Sequence, residues 1–215
     1  MPRREEIADA GIRLIAARGV RALTHRAVDE AAALPAGSTS YYARTRRELI
    51  GLVVERLADY TQEDLATFAI PTEITPADAV GLASGFLDLL SRRVDAQAVR
   101  FALLFELRGD TELRSLLTED APVRGQLIAA AQAVLAATGV SEPATHAPDL
   151  VGLLDALLMY RASGAAPIDA RTVIGAYLRG LLGPRRALTT ARDNLAAGGP
   201  QEVPDFKNQG GFVES

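Results

Sequence analysis

Ala33-Leu-Pro-Ala-Gly-Ser-Thr-Ser-Tyr-Tyr-Ala-Arg-Thr-Arg-Arg-Glu48 reads as turn, short helix, turn and helix start. Pro35 and Gly37 break an alanine-rich helix, and the six residues that follow carry three small hydroxyls and two adjacent phenols in place of a core stripe. A helix of that composition exposes hydrogen-bonding groups, which suit phosphate oxygens and base edges. Arg44, Arg46 and Arg47 follow with the charge that a polyanion requires. Thr45 and Glu48 stand at the spacing of a capping box, so each side chain is expected to satisfy an amide of the other at the start of the next helix.

Upstream of this stretch, Ile7, Ala10, Gly11, Leu14 and Ile15 recur at helical steps and predict a helix over 3–18 that Gly19 ends. Thr24 is a good N-cap for a second helix, 24–33, whose Ala27, Val28, Ala31 and Ala32 face inward. Alanines there allow the close helix approach that a helix-turn-helix needs. Downstream, a long fourth helix is predicted over 46–68, with Leu49, Leu52, Val53, Leu57 and Tyr60 on its apolar face. Thr75 and Pro76 cap and open the next, which reaches about residue 94.

The apolar segment 95–107 is expected to be buried on more than one face. A short helix to 117, a helix over 118–138 stopped by Gly139, a loop over 141–148, and helices over 148–163 and 170–182 complete the pattern. Gly164 and Gly183 close the last two, and Asp169 caps the second of them. No strand periodicity is visible.

Residues 23–49 resemble the helix-turn-helix of the TetR family of bacterial transcriptional regulators. Thr24 opens the motif's first helix as the family's threonine does, Val28 and Ala32 hold its apolar positions, and the segment 37–42 resembles the recognition helix. Arg46 stands where the family usually has lysine. Ala33 replaces a common glycine, Asp29 a small residue, and Ala43 a phenylalanine. The resemblance implies a homodimer on double-stranded operator DNA, with two heads on successive turns of the duplex, and a fourth helix shared between head and body. The DNA-binding residues expected from motif and resemblance together are Thr24, His25, Arg26, Ser38, Thr39, Ser40, Tyr41, Tyr42, Arg44 and Arg46. The base-reading side chains would come from 38–42, and Thr24, Arg44 and Arg46 would contact phosphates.

The 215 residues, 48% of them hydrophobic, suffice for a sizeable core. The net charge of −4 conceals an asymmetry: residues 1–50 hold nine arginines against six acids, and the remainder holds 14 basic against 21 acidic residues. A basic head on an acidic body orients a protein on a polyanion. Only Lys207 breaks the use of arginine. With no cysteine and no apolar leader at the start, a reducing, cytoplasmic setting is expected. The longest nearly apolar run, 127–140, is shorter than the about 20 residues a membrane span needs, so no membrane partner is expected.

The expected fold class is all-α, with an N-terminal three-helix helix-turn-helix DNA-binding head (1–48) joined to a C-terminal helical ligand-binding and dimerisation bundle (49–184) and followed by a disordered tail (185–215). Only His25 and His146 are available as imidazoles, and there is no phosphate-binding glycine loop, so no enzyme activity, cofactor or metal is expected. Residues large enough to line an effector cavity between the body helices are Phe86, Phe101, Phe105, Glu106, Ile128 and Met159. The leucine-rich last helices carry more apolar face than one chain can cover. Leu150, Leu154, Leu157, Leu158, Ile174, Tyr177, Leu178 and Leu181 are therefore expected at a homodimer interface. The function these readings support is a transcriptional repressor released from a palindromic operator by a small organic effector. The competing reading is a helical interaction or enzyme module that never touches DNA.

Overall fold

Helix starts and stops in this chain follow from local chemistry. The computed structural model describes residues 3–183, which form α1 (Arg3–Arg18), α2 (His25–Ala31), α3 (Ser38–Tyr42), α4 (Arg46–Leu65), α5 (Pro76–Ser91), α6 (Val94–Glu106), α7 (Thr111–Ser115), α8 (Arg124–Ala137), α9 (Pro143–Ala162) and α10 (Ala170–Leu182). Short 3-10 turns lie at Val20–Ala22 and Leu107–Gly109. No strand occurs among the described residues, as expected of an all-α chain. The expected tail, 185–215, lies outside them.

The caps read from the sequence form. Thr24 accepts from the Ala27 amide at 3.2 Å, and Thr75 and Asp78 close a reciprocal box with Pro76 at the first helical position. Asp169 accepts from the Thr172 amide at 3.1 Å. The box at α4 is only half made. Thr45 accepts from the Glu48 amide at 3.1 Å, but the Glu48 carboxylate reaches past Thr45 to the Arg44 amide at 2.7 Å.

The downstream elements shift from their expected bounds. Pro122 pushes the residue before it out of the helical region, so α8 begins at Arg124 rather than at 118. The expected loop 141–148 is largely helix. Pro143 occupies the first position, where no donor is missed, and Pro148 sits inside α9. Burial of Ala147, Leu150 and Val151 offsets the bond that Pro148 cannot make. Helix α6 is amphipathic rather than buried all round. Ala96, Gln97, Val99 and Leu103 face inward, whereas Val94 and Phe105 are more than half exposed.

Two buried clusters form the interior. The first joins α1, α2 and α4 as far as Leu57 with Ala96, Val99 and Leu103 of α6 and with Leu107, Leu113 and Leu117. The second is built by α5, α8, α9 and α10. Residues 3–182 belong to one compact unit. At the α1–α4 crossing, a Cβ on Gly11 would lie 2.8 Å from Val53 Cγ2 and 3.2 Å from Leu23 Cδ1. The two helices thus meet at a distance that only glycine permits. Among the described residues no helix is long and apolar enough to cross a membrane.

Helix α2 ends on a residue with the wrong shape for its conformation. The Leu34 amide bonds to the Asp29 carbonyl at 2.8 Å, a closing turn that places Ala33 at φ 54°. A Cβ in this left-handed region costs about 1–2 kcal/mol, and glycine would return part of that gain as unfolded-state entropy. Ala33→Gly is therefore expected to raise stability by about 0.5–1 kcal/mol. A thermal melt that is unchanged or lowered would show that the turn is not strained.

Candidate nucleic-acid interface

A helix of five residues cannot hold itself together in water, so α3 depends on what anchors it. The anchor is Asp29 of α2, only 3% exposed. Its carboxylate accepts from the Gly37 amide at 2.7 Å, the Thr39 amide at 2.8 Å and the Thr39 hydroxyl at 2.6 Å. Gly37, at φ 89°, turns the chain so that these amides converge. Burial opposes the charge on Asp29. The Thr39 hydroxyl and amide, the Gly37 amide and the nearby His25 outweigh it and hold the carboxyl below its ordinary value. The family resemblance marks Asp29 only as a departure. The signal for its role is an acid among the inward-facing residues of α2, eight residues before a glycine that precedes a hydroxyl-rich helix.

The structure divides the expected DNA-binding residues into two groups. Ser40, Tyr41, Thr24, Arg26 and Arg44 lie on the surface. Tyr41 is 82% exposed, and its ring meets that of the less exposed Tyr42 edge-on at 5.1 Å. Ser38 donates to the Pro35 carbonyl at 2.7 Å, and Arg26 pairs with Glu30 at 2.9 Å.

Three residues make contacts within the scaffold. Thr39 is fully buried against Asp29, which corrects its assignment as a base reader. His25 donates through Nε2 to the Ala43 carbonyl at 2.8 Å, which ties α2 to the end of α3. Arg46 donates to the Val20 carbonyl at 2.8 Å and pins α4 to the turn after α1. Ala43 is fully buried in the first cluster, so a small side chain occupies the anchoring position where the family favours an aromatic ring.

Helix α4 runs from this head into the body, and polar contacts brace it at two levels. In its first turn, Arg47 meets Asp110 at 2.8 Å and Glu112 at 2.7 Å. Asp110 also accepts from the Leu113 amide and so starts α7. The Arg47 bond, followed by that amide, holds the Asp110 carboxyl below its ordinary value. Farther along, the Tyr60 ring lies between the guanidinium groups of Arg56 and Arg93, at 4.3 and 4.2 Å. Tyr60 donates to Asp9 at 2.6 Å, and Arg56 bonds the same oxygen at 2.9 Å. Arg93 reaches Asp64 at 3.1 Å. Burial, together with the bond to Asp9, pushes the Tyr60 phenol up. Most of these contacts join residues dozens of positions apart, and no spacing in the sequence announces them.

Beside the second half of α4 lies a mostly apolar cavity of about 120 Å³. Leu57, Thr61 and Leu65 of α4 form one wall, and α5, α6, α8 and α9 form the others. Phe86 is the one expected cavity residue that lines it. Phe105 and Met159 are exposed large side chains, and Glu106 lies on the exposed side of α6. Phe101 and Ile128 pack half-buried against the second cluster without reaching the cavity. Helical periodicity correctly marks a face as apolar, but it does not distinguish core from cavity wall.

Of the expected interface residues, Leu150, Leu157, Leu158, Ile174 and Leu178 are at most 3% exposed within the single chain. They pack into its own second cluster and are unavailable to a partner. The apolar surplus read from the sequence is covered from inside, because α10 packs on α5 while α9 lies against α8, α5 and α6. Leu154 lines the cavity. Tyr177 and Leu181 are half-buried, and on α9 Met159 and Tyr160 remain 38% and 39% exposed.

Comparison with known proteins adds a family and a fold. A family model described as "Tetracyclin repressor-like, C-terminal domain" matches residues 75–184. A search of curated proteins gives no match. Among solved structures, a transcriptional regulator from Rhodococcus sp. Rha1 superposes with a TM-score of 0.68 at 18% identity, over 84% of this chain and 96% of that one. A TetR family member from Streptomyces coelicolor A3 gives 0.63 at 24% identity, over 84% and 98%. The multidrug binding protein EbrR complexed with imidazole gives 0.58 at 26% identity, over 87% and 96%.

Proposed function

The chain belongs to the TetR family of transcriptional regulators, DNA-binding proteins rather than enzymes, and from that premise we propose a homodimeric cytoplasmic repressor that a small organic effector releases from a palindromic operator. The observation that carries this reading is the course of α4. Its first turn meets the DNA-binding head through Arg46 and Val20, and its second half walls the cavity with Leu57, Thr61 and Leu65. A molecule bound in the cavity packs on this wall of α4, and a change in the tilt of α4 moves the head. In a dimer, that movement changes the spacing between two recognition helices that must fit successive turns of duplex. EbrR, a multidrug binding protein seen with imidazole, proflavin and ethidium, supports an organic effector by analogy.

The dimer contact falls, in this reading, on the exposed sides of α9 and α10, where Met159, Tyr160, Tyr177 and Leu181 still have surface to bury. Sedimentation at micromolar concentration is expected to give twice the 22.8 kDa chain mass. A folded monomer would overturn the arrangement.

Release by an effector obeys linkage: a ligand that lowers operator affinity must bind the DNA-bound protein more weakly by the same factor. Titration calorimetry with and without DNA from the region flanking its own gene is expected to agree with the mobility shift on that DNA. Retention that is equally weak on any sequence would favour a helical module without operator specificity. Ligands that bind without changing operator affinity would separate the cavity from the switch.

A further inference from the structure

Two buried side-chain polar atoms among the described residues have no hydrogen-bond partner, Ser84 Oγ and Gln97 Oε1. Only Gln97 lines the cavity. It projects from the inward face of α6 and is 5% exposed, so bulk water does not compensate its carbonyl. A buried acceptor left unmade is costly. Thr61, Thr118, Arg100 and Asp155 on the wall already have partners. The Thr61 hydroxyl donates to the Leu57 carbonyl and that of Thr118 to the Arg114 carbonyl. Arg100 and Asp155 form a two-pronged pair at 3.0 and 2.8 Å. The half-buried Arg124 is the remaining charged side chain on the wall.

On the reading of this cavity as the effector site, we propose that Gln97 selects the effector, which is a small neutral aromatic compound carrying one O–H or N–H donor, of the phenol or aniline class. Size sets the ring count. A cavity of about 120 Å³ is comparable with engineered apolar cavities of about 150 Å³ that hold one benzene, so the resting shape accepts one ring. Polarity sets the substituent. The apolar walls take the ring, and a turn of the Gln97 amide brings Oε1 to the donor that nothing in the chain supplies. An ionised carboxylate has only acceptors and would leave Gln97 Oε1 without a donor, and Arg100 is already neutralised by Asp155.

Toluene and phenol test this, because they differ by a methyl against a hydroxyl of similar size. With the full chain, calorimetry is expected to show phenol binding about tenfold tighter than toluene, one hydrogen bond to an otherwise orphaned acceptor. In Gln97→Leu, the preference is expected to reverse: phenol loses about tenfold or more and toluene binds at least as well as before. The variant is expected to melt no lower than wild type, since it removes an unpaired buried acceptor, and Gln97→Met repeats the test with a more pliable side chain. A phenol-to-toluene ratio that both variants leave unchanged would overturn the role of Gln97 while the cavity stands as a binding site. Benzoate binding more tightly than phenol would overturn it in favour of Arg124. If neither toluene nor phenol binds the wild-type chain, the effector cavity falls together with the inference.

Discussion

Replacing Asp29 by alanine is expected to unseat the recognition helix. Operator affinity should fall by about two orders of magnitude, and the chain should lose about 3 kcal/mol of stability. Three hydrogen bonds end on this carboxylate, two from amides and one from the Thr39 hydroxyl, and bonds to a charged acceptor contribute about 1.5–3 kcal/mol each. The sum is not realised in full, because the Gly37 amide lies on an exposed residue and water can take it up. Thr39 is fully buried and has no such recourse. A five-residue helix without its anchor frays, so DNA binding should suffer even where the rest of the chain stays folded. Asp29→Asn keeps one acceptor oxygen and should fall between the two.

The pH dependence of the anchor has a definite sign. Because the folded carboxyl titrates below its ordinary 3.8, its stabilisation is complete at pH values above the unfolded titration. It disappears as pH falls through the lower folded value. The stability gap between wild type and Asp29→Ala should therefore be constant from neutral pH down to about 5 and close in more acid solution. Melts across that range, with titration on operator and scrambled duplexes at neutral pH, check both parts. Operator affinity within about threefold of wild type would mean that α3 is held by something else.

The anchor also shows what the sequence made legible and what it did not. Local signals were readable. The caps at Thr24, Thr75 and Asp169, the glycine stops and the hydroxyl-rich α3 each depend on neighbours within four residues. Contacts between distant segments were not readable. Arg47 finds Asp110 and Glu112 more than sixty positions away, and Tyr60 is enclosed by residues from α1, α4 and the start of α6. Hydrophobic periodicity identified the faces of α9 and α10 as apolar but not their partners. Leu150, Leu158 and Ile174 fill the chain's own core, and no partner is needed to cover them. Thr39 misled for a related reason: a hydroxyl on a short exposed helix suits DNA equally well as an internal clamp, and only the position of Asp29 decides which.

The exposed residues of α3 and the arginine beyond it should fail in different ways on substitution. Tyr41→Ala removes the most open large side chain of the helix, one that no other element uses for packing beyond its edge contact with Tyr42. If that ring and hydroxyl meet base edges in the major groove, the cost should be about 1–3 kcal/mol on the operator and slight on random duplex. Arg44→Ala instead removes an exposed charge beside α3. Affinity should drop for every sequence alike, and the slope of log affinity against log salt should shrink by about one unit per half-site. Arg46 is expected to give a mixed result, because its bond to the Val20 carbonyl makes it part of the scaffold as well as a source of charge. Thr39→Ala should behave as a weaker Asp29→Ala, lowering the melting temperature along with operator binding. Titrations on operator and scrambled duplexes across a salt series separate these outcomes. If Arg44→Ala changes the preferred sequence while Tyr41→Ala weakens binding to all sequences equally, then Arg44 enters the groove, Tyr41 lies along the backbone, and α3 is rotated on the duplex relative to the orientation argued here.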